Sequence, residues 1–195
     1  MAHRTISALV ALALLAGGIV AAPAAEPESP SFVPPPGKQS AAEREALFSA
    51  LAAAKSDFEA RAVEDRLWKF WLTPPDEESR KLLEASRRAN LEFNYNLSIL
   101  NLKELTEHAP DYSEGWNQLA TVFFLAGAYD ASLKAIERTL ALEPKHYGAL
   151  AGKGLIYLWM LGDEAKGQKA LKEALAINPW LKERNLIKPE PGQKI

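Results

Sequence analysis

The side chains able to do chemistry are few and scattered in this chain of 195 residues. The histidines are His3, His108 and His146, and none forms a metal-type spacing such as H-E-x-x-H. His108 and His146 fall near expected helix ends, where a polar or cationic group suits the helix dipole. The acid pairs Glu77-Glu78 and Asp163-Glu164 fall at expected helix starts, where the same dipole favours them without catalysis. Gly152-Lys153-Gly154 has phosphate-loop residue types but not the Walker spacing, and it lies within a helical stretch. There is no cysteine, which removes disulfides, thiolate metal sites, a thiol nucleophile and lipid attachment through an N-terminal Cys. No catalytic residue, metal ligand or cofactor is expected.

The elements behind these residues follow from composition and patterning. Hydrophobic residues make up 48% of the chain, enough for one packed domain. The 23 Lys and Arg nearly balance the 25 Asp and Glu, with no basic face of the kind nucleic-acid binding needs. His3 and Arg4 precede an apolar run from Ile6 to Val20, followed by Ala22-Pro23-Ala24. That order is a secretory signal peptide over residues 1–24, cleaved before Ala25. Uncleaved, the run would serve as an anchor, although it is short of the ~20 residues that span a bilayer. The mature chain is expected to be periplasmic or secreted, with no membrane contact. Residues 25–39 form a linker, in which Pro27, Pro30, Pro34, Pro35 and Pro36 oppose helix.

From Ser40 onward the pattern is helical, without strand alternation. Ser40-Ala-Ala-Glu43 and Ser56-Asp-Phe-Glu59 both read as capping boxes, so helices are expected over about 41–54 and 57–72. Val63, Leu67, Phe70 and Trp71 share a face of the second. Pro110, Pro144 and Pro179 then recur at intervals of 34 and 35 residues, the period of stacked helix pairs. In the clearest unit Trp116, Leu119, Ala120 and Phe123 form one helical stripe, and Tyr129, Leu133, Ile136 and Leu140 form its partner, with Gly127 between.

Those residues, with Pro144, resemble a tetratricopeptide repeat. The following unit resembles one too, through Gly154, Tyr157, Gly162, Leu171, Ala174, Leu175 and Pro179, provided one residue is inserted near Trp159-Met160-Leu161. The preceding unit is degenerate: Leu82, Leu102 and Pro110 fit, but Phe93 holds the turn glycine position. Ser132 and Thr139 stand where the motif usually has Ala, which is expected to loosen the crossing slightly without breaking it. The resemblance covers about half the chain. It implies an all-α fold of antiparallel helix hairpins stacked as a short right-handed superhelix. The expected organisation is a hairpin cap over 40–72, units over 73–110, 111–144 and 145–179, and a C-terminal cap and tail over 180–195, with Leu181 and Ile187 as its packing residues. The arrangement also resembles small exported bacterial proteins with a helix pair before two or three such repeats.

The resemblance implies a protein or peptide partner held in the concave groove, without catalysis. By register the groove residues are Arg80, Leu83 and Arg87 in the first unit, Asn117, Thr121 and Phe124 in the second, and Ala151, Leu155 and Leu158 in the third. Asn117 lies off the core stripe and can hold peptide backbone groups. The clamp that some members use for chaperone C-terminal tails is not expected. Its positions hold Leu83, Gln118, Gly148 and Gly152, leaving Arg87 as the cation. Trp68 and Trp159 are candidate interface aromatics, with packing against a neighbouring hairpin as the simpler role. Two other functions stay open. One is an accessory subunit of a cell-envelope assembly or division complex, docking through Trp68 and the N-terminal helices. The other is an envelope hydrolase or sugar-binding protein, which requires a pocket with convergent titratable groups.

Overall fold

The computed structural model describes residues 38–188. The expected signal peptide and most of the proline-rich linker lie outside them. Among the described residues eight α-helices succeed one another: α1 (Lys38–Ala53), α2 (Asp57–Trp71), α3 (Glu77–Leu91), α4 (Tyr95–His108), α5 (Ser113–Leu125), α6 (Tyr129–Leu142), α7 (Tyr147–Leu155) and α8 (Glu164–Ile177). A short 3-10 helix, Lys182–Leu186, completes the order, and no strand occurs among the described residues. Neighbours pair as α1/α2, α3/α4, α5/α6 and α7/α8 hairpins, and the last three stack through α4 on α5 and α6 on α7. This is an all-α solenoid of the tetratricopeptide type.

Local sequence sets the helix ends. Ser56 accepts the Glu59 N–H at 3.2 Å, and Glu59 reaches back to the Lys55 N–H at 2.8 Å. Asp76 caps α3, Asn94 caps α4 and Asp163 caps α8, each accepting an N–H three residues on. α1 begins at Lys38, two residues before the expected start at Ser40. Each of the three stacked hairpins turns on a residue with positive φ: Phe93 (58°), Gly127 (75°) and Gly162 (68°). Glycine enters this region freely, whereas Phe93 does so against its own Cβ.

Between Gly127 and Gly162 the repeat is one residue longer, and the structure absorbs that residue as a π-helix over Ile156–Leu161. The core runs along the hairpin seams through Leu102, Leu105, Leu119, Val122 and Ile136. Ser132 and Thr139 do not loosen it. Both are buried, and the Ser132 hydroxyl donates to the Ala120 carbonyl at 2.7 Å, tying α6 to α5.

The N-terminal hairpin is placed differently from a cap at the start of the stack. Leu47, Phe48, Leu51, Leu67 and Trp71 bury themselves against Tyr147, Ile177, Trp180 and Leu181, which belong to the third unit and the C-terminal segment beyond it. Polar ties run the same way: Arg44 to Glu143, Lys145 to Glu45 at 2.6 Å, Asn178 to Glu64, and Arg184 to Asp57 at 3.5 Å. Leu181 and Ile187 pack the C-terminal segment onto α7 and α8. No helix of the described residues is long and apolar enough to cross a membrane.

Candidate binding site

The first helices of the three units, α3, α5 and α7, carry the expected groove residues apart from Leu158, and α2 lies over the third of them. The contact is aromatic. Trp71 stacks on His146, with ring centroids 4.2 Å apart and planes 16° from parallel. Trp68 meets Trp71, His146 and Tyr147 edge-on at 5.3, 5.7 and 6.0 Å. Gly148 provides the room: a Cβ there would come within 2.9 Å of the Trp68 ring. Trp68 is therefore engaged within the chain.

Beneath this contact His146 and Glu114 are both fully buried. His146 Nδ1 accepts the Ala149 N–H at 3.1 Å and caps α7, so the ring proton lies on Nε2 and is donated to Glu114 at 3.0 Å. Asn117 and Gln118 also donate to that carboxylate. Glu114 is thus held by three side-chain donors at the first turn of α5, where the helix dipole also favours it.

A half-open cavity of about 170 Å³ lies between α2, α5, α7 and the 3-10 segment. Asp57, Arg61, Glu64 and Trp68 line it from α2, and Tyr147, Gly148, Ala151 and Leu155 line it from α7. Asn117 reaches it from α5, and residues 180–184 close the remaining side. The hydroxyl of Tyr147 and the indole N–H of Trp180 are buried without a hydrogen-bond partner. Burial, reinforced by the nearby Glu64 and Asp65 carboxylates and opposed by the Trp68 indole, pushes the Tyr147 phenol well above its ordinary range.

Of the residues expected in the groove, Asn117, Ala151 and Leu155 come together around this cavity. Thr121 and Phe124 line a small crevice between α5, α6 and α7. Arg80 is exposed and paired with Glu77 and Glu84, and Arg87 is exposed. Leu83 is a core residue, only 2% exposed. Leu158 turns into the α7/α8 seam, against Gly167, because it lies in the π-helical turn. Trp159, in the same turn, is 42% exposed. Sequence reasoning missed Tyr147, Trp180 and the Glu114–His146 pair. The faint signal for the pair was a histidine at the cap position of a helix.

No protein-family model matches the chain. A curated TPR repeat-containing protein of Rhizobium etli is 31% identical over 133 residues. The matched stretch is 68% of this chain and 65% of that protein, so the chain spans just under two thirds of its relative's length. With the stacked hairpins, that likeness is consistent with a TPR-like protein. The architecture is consistent with a protein-binding scaffold. No group of three or more His, Cys, Asp or Glu is placed to hold a metal among the described residues.

Proposed function

We propose that this protein is a periplasmic adaptor that holds a segment of a partner protein on the part of its concave surface left uncovered by the N-terminal hairpin, and catalyses no reaction. The observation that carries this reading is the stack of three hairpins, with the N-terminal hairpin packed mainly on the third and on the segment beyond it. Arg80 and Arg87 on α3 are exposed, and Phe124 at the end of α5 is half-buried. Together they offer a mixed polar and apolar strip of the sort a peptide crosses. Docking through Trp68 has less support, since that ring is occupied by Trp71, His146 and Tyr147.

Photocrosslinking groups placed at Arg87, at Phe124 and at Lys134 on α6 test the groove. The same protein should be captured from the first two and not from the third. Capture from Lys134 alone would sink the groove reading. The address is tested by sequencing the N-terminus of the protein from cells, which should begin at Ala25. A full-length N-terminus on all molecules would rule out cleavage before Ala25 and leave the run as an anchor.

A further inference from the structure

Of the seven large apolar side chains exposed among the described residues, Leu91, Phe93, Leu97 and Leu100 all belong to the first stacked hairpin. Leu91 ends α3, Phe93 makes the turn, and Leu97 and Leu100 lie one helical turn apart on α4. They form an apolar patch at the tip of α3/α4.

The repeat itself shows that the fold does not require this patch. At the same places in the second and third hairpins, Phe93 corresponds to Gly127 and Gly162, Leu97 to Ala131 and Lys166, and Leu100 to Lys134 and Lys169. The three lysines are exposed, so the positions face solvent there too. Phe93 is also held at φ 58°, against its own Cβ, where the other two turns have glycine. Backbone strain of this kind gathers at functional surfaces, and an exposed apolar patch marks a contact with a partner.

Two observations select the partner. First, this end of the stack is open. In an array of hairpins an outer face is covered by the next hairpin or by a cap. Here α1 and α2 are engaged elsewhere, in a core that includes no residue of α3 or α4. Second, the rim of the patch carries both signs. Arg88 precedes Leu91 by one helical turn and Glu92 follows it, while Lys103 and Glu104 come one turn after Leu100. All four are exposed and have no ion-pair partner among the described residues. At the far end of α3, by contrast, Arg80 pairs with Glu77 and Glu84, and Lys81 with Glu78. A rim of one sign would repel its own copy. Two cations and two anions are self-complementary, because a two-fold axis sets the cations of one copy against the anions of the other.

We infer that the protein forms a two-fold homodimer through the tip of its first stacked hairpin, with the apolar patch of one copy packed on that of the other. Arg88 and Lys103 of each copy meet the Glu92 and Glu104 carboxylates of its partner. These eight residues a side are fewer than the ~20–30 of a standard interface, so the dimer should be weak, with Kd about 10–100 μM. None of them is a groove residue, so the groove reading stands or falls separately.

Sedimentation velocity of the protein isolated from cells, over about 1–300 μM, tests this. The protein should pass from monomer to dimer across that range. Leu97→Lys with Leu100→Lys installs the residues that the third hairpin carries, so it should keep the melting temperature of the dilute protein and raise Kd about tenfold or more. If that double variant unfolds, Leu100→Lys alone carries the same expectation, since both other hairpins have lysine there. The chain has no cysteine, so a single introduced one reports contact. A short bis-maleimide should join Asn96→Cys, beside Leu97, to its own copy, and should not join Lys169→Cys on the third hairpin. A monomer throughout overturns the proposal, including one whose patch is covered by residues 25–37 or one that binds phosphatidylcholine vesicles through these leucines. So does a dimer that the folded lysine variants leave unchanged, as association through the apolar run Ile6–Val20 would be. Equal crosslinking from Lys169→Cys overturns it as well.

Discussion

Glu114 shows how one buried side chain organises its surroundings. Its carboxylate takes protons from His146, Asn117 and Gln118, and His146 in turn caps α7 and stacks on Trp71. Replacing Glu114 by Ala leaves two buried donors, on His146 and Asn117, and the half-buried Gln118 without an acceptor. Glu114→Ala should cost ~3 kcal/mol in urea unfolding, and Glu114→Gln clearly less, because one acceptor oxygen remains. Equal costs for the two would mean that the carboxylate is not the organiser. Phe93 is the opposite case: it is 79% exposed and held at φ 58°. Phe93→Gly relieves a Cβ clash worth about 1–2 kcal/mol but adds about 0.5–1 kcal/mol of unfolded-state freedom to lose, for a net gain of ~0.5 kcal/mol. Calorimetry should show the melting temperature rise by about 1–2 °C. Asp76 supplies the pH dependence. The Ser79 N–H it caps, and beyond that His108 at 3.0 Å, hold its carboxyl below the usual value of 3.8. A depressed folded pKa gives stability that is complete above the unfolded pKa and is lost as pH falls through the folded one. Asp76→Asn keeps a good cap but no charge. The mutant should therefore be less stable than the parent at neutral pH, and the two should converge as the pH falls below about 3.8.

At the scale of elements, what could be read in the sequence was whatever repeats. The stripe Trp116, Leu119, Ala120 and Phe123 predicted a helix face, and the hairpin α5/α6 packs along it. The extra residue near Trp159 was visible as a broken period, and its structural form is the π-turn Ile156–Leu161. That turn had a consequence the register alone could not show: it rotates Leu158 out of the expected groove and into the seam with α8. There the two helices approach so closely that a Cβ on Gly154 would lie 2.6 Å from Leu171 and 3.2 Å from the Gly167 carbonyl. Leu171 is fully buried and cannot swing aside. Gly154→Ala should thus destabilise by about 2 kcal/mol, although Ala is the better helix former. An unchanged or raised denaturation midpoint would show that α7 and α8 can separate freely.

On the scale of the whole molecule, the placement of α1 and α2 was not legible, and the reason is physical. Their ties to the end of the second unit and to the third join residues about a hundred apart, as in Arg44–Glu143 and Glu64–Asn178, and no local period encodes such a distance. A cap at the start of the stack and a clasp over its end require the same amphipathic face of Leu67 and Trp71. The cavity was hidden for the same reason, since Trp68, Tyr147 and Trp180 meet only when that clasp closes. The two arrangements predict different effects of one change. Trp71→Ala removes a ring stacked on His146 and packed on Tyr147, at a cost of about 3–4 kcal/mol. If the hairpin clasps the third unit, native-state hydrogen exchange in this variant should quicken first in Tyr147–Leu155 and Glu164–Ile177. Amides in Glu77–Leu91 and Tyr95–His108 should keep their protection, because α3 and α4 draw little from α2. Loss of protection in the first unit ahead of the third would place the hairpin at the other end of the stack. It would also dissolve the cavity, since its aromatic walls come from both sides of that contact.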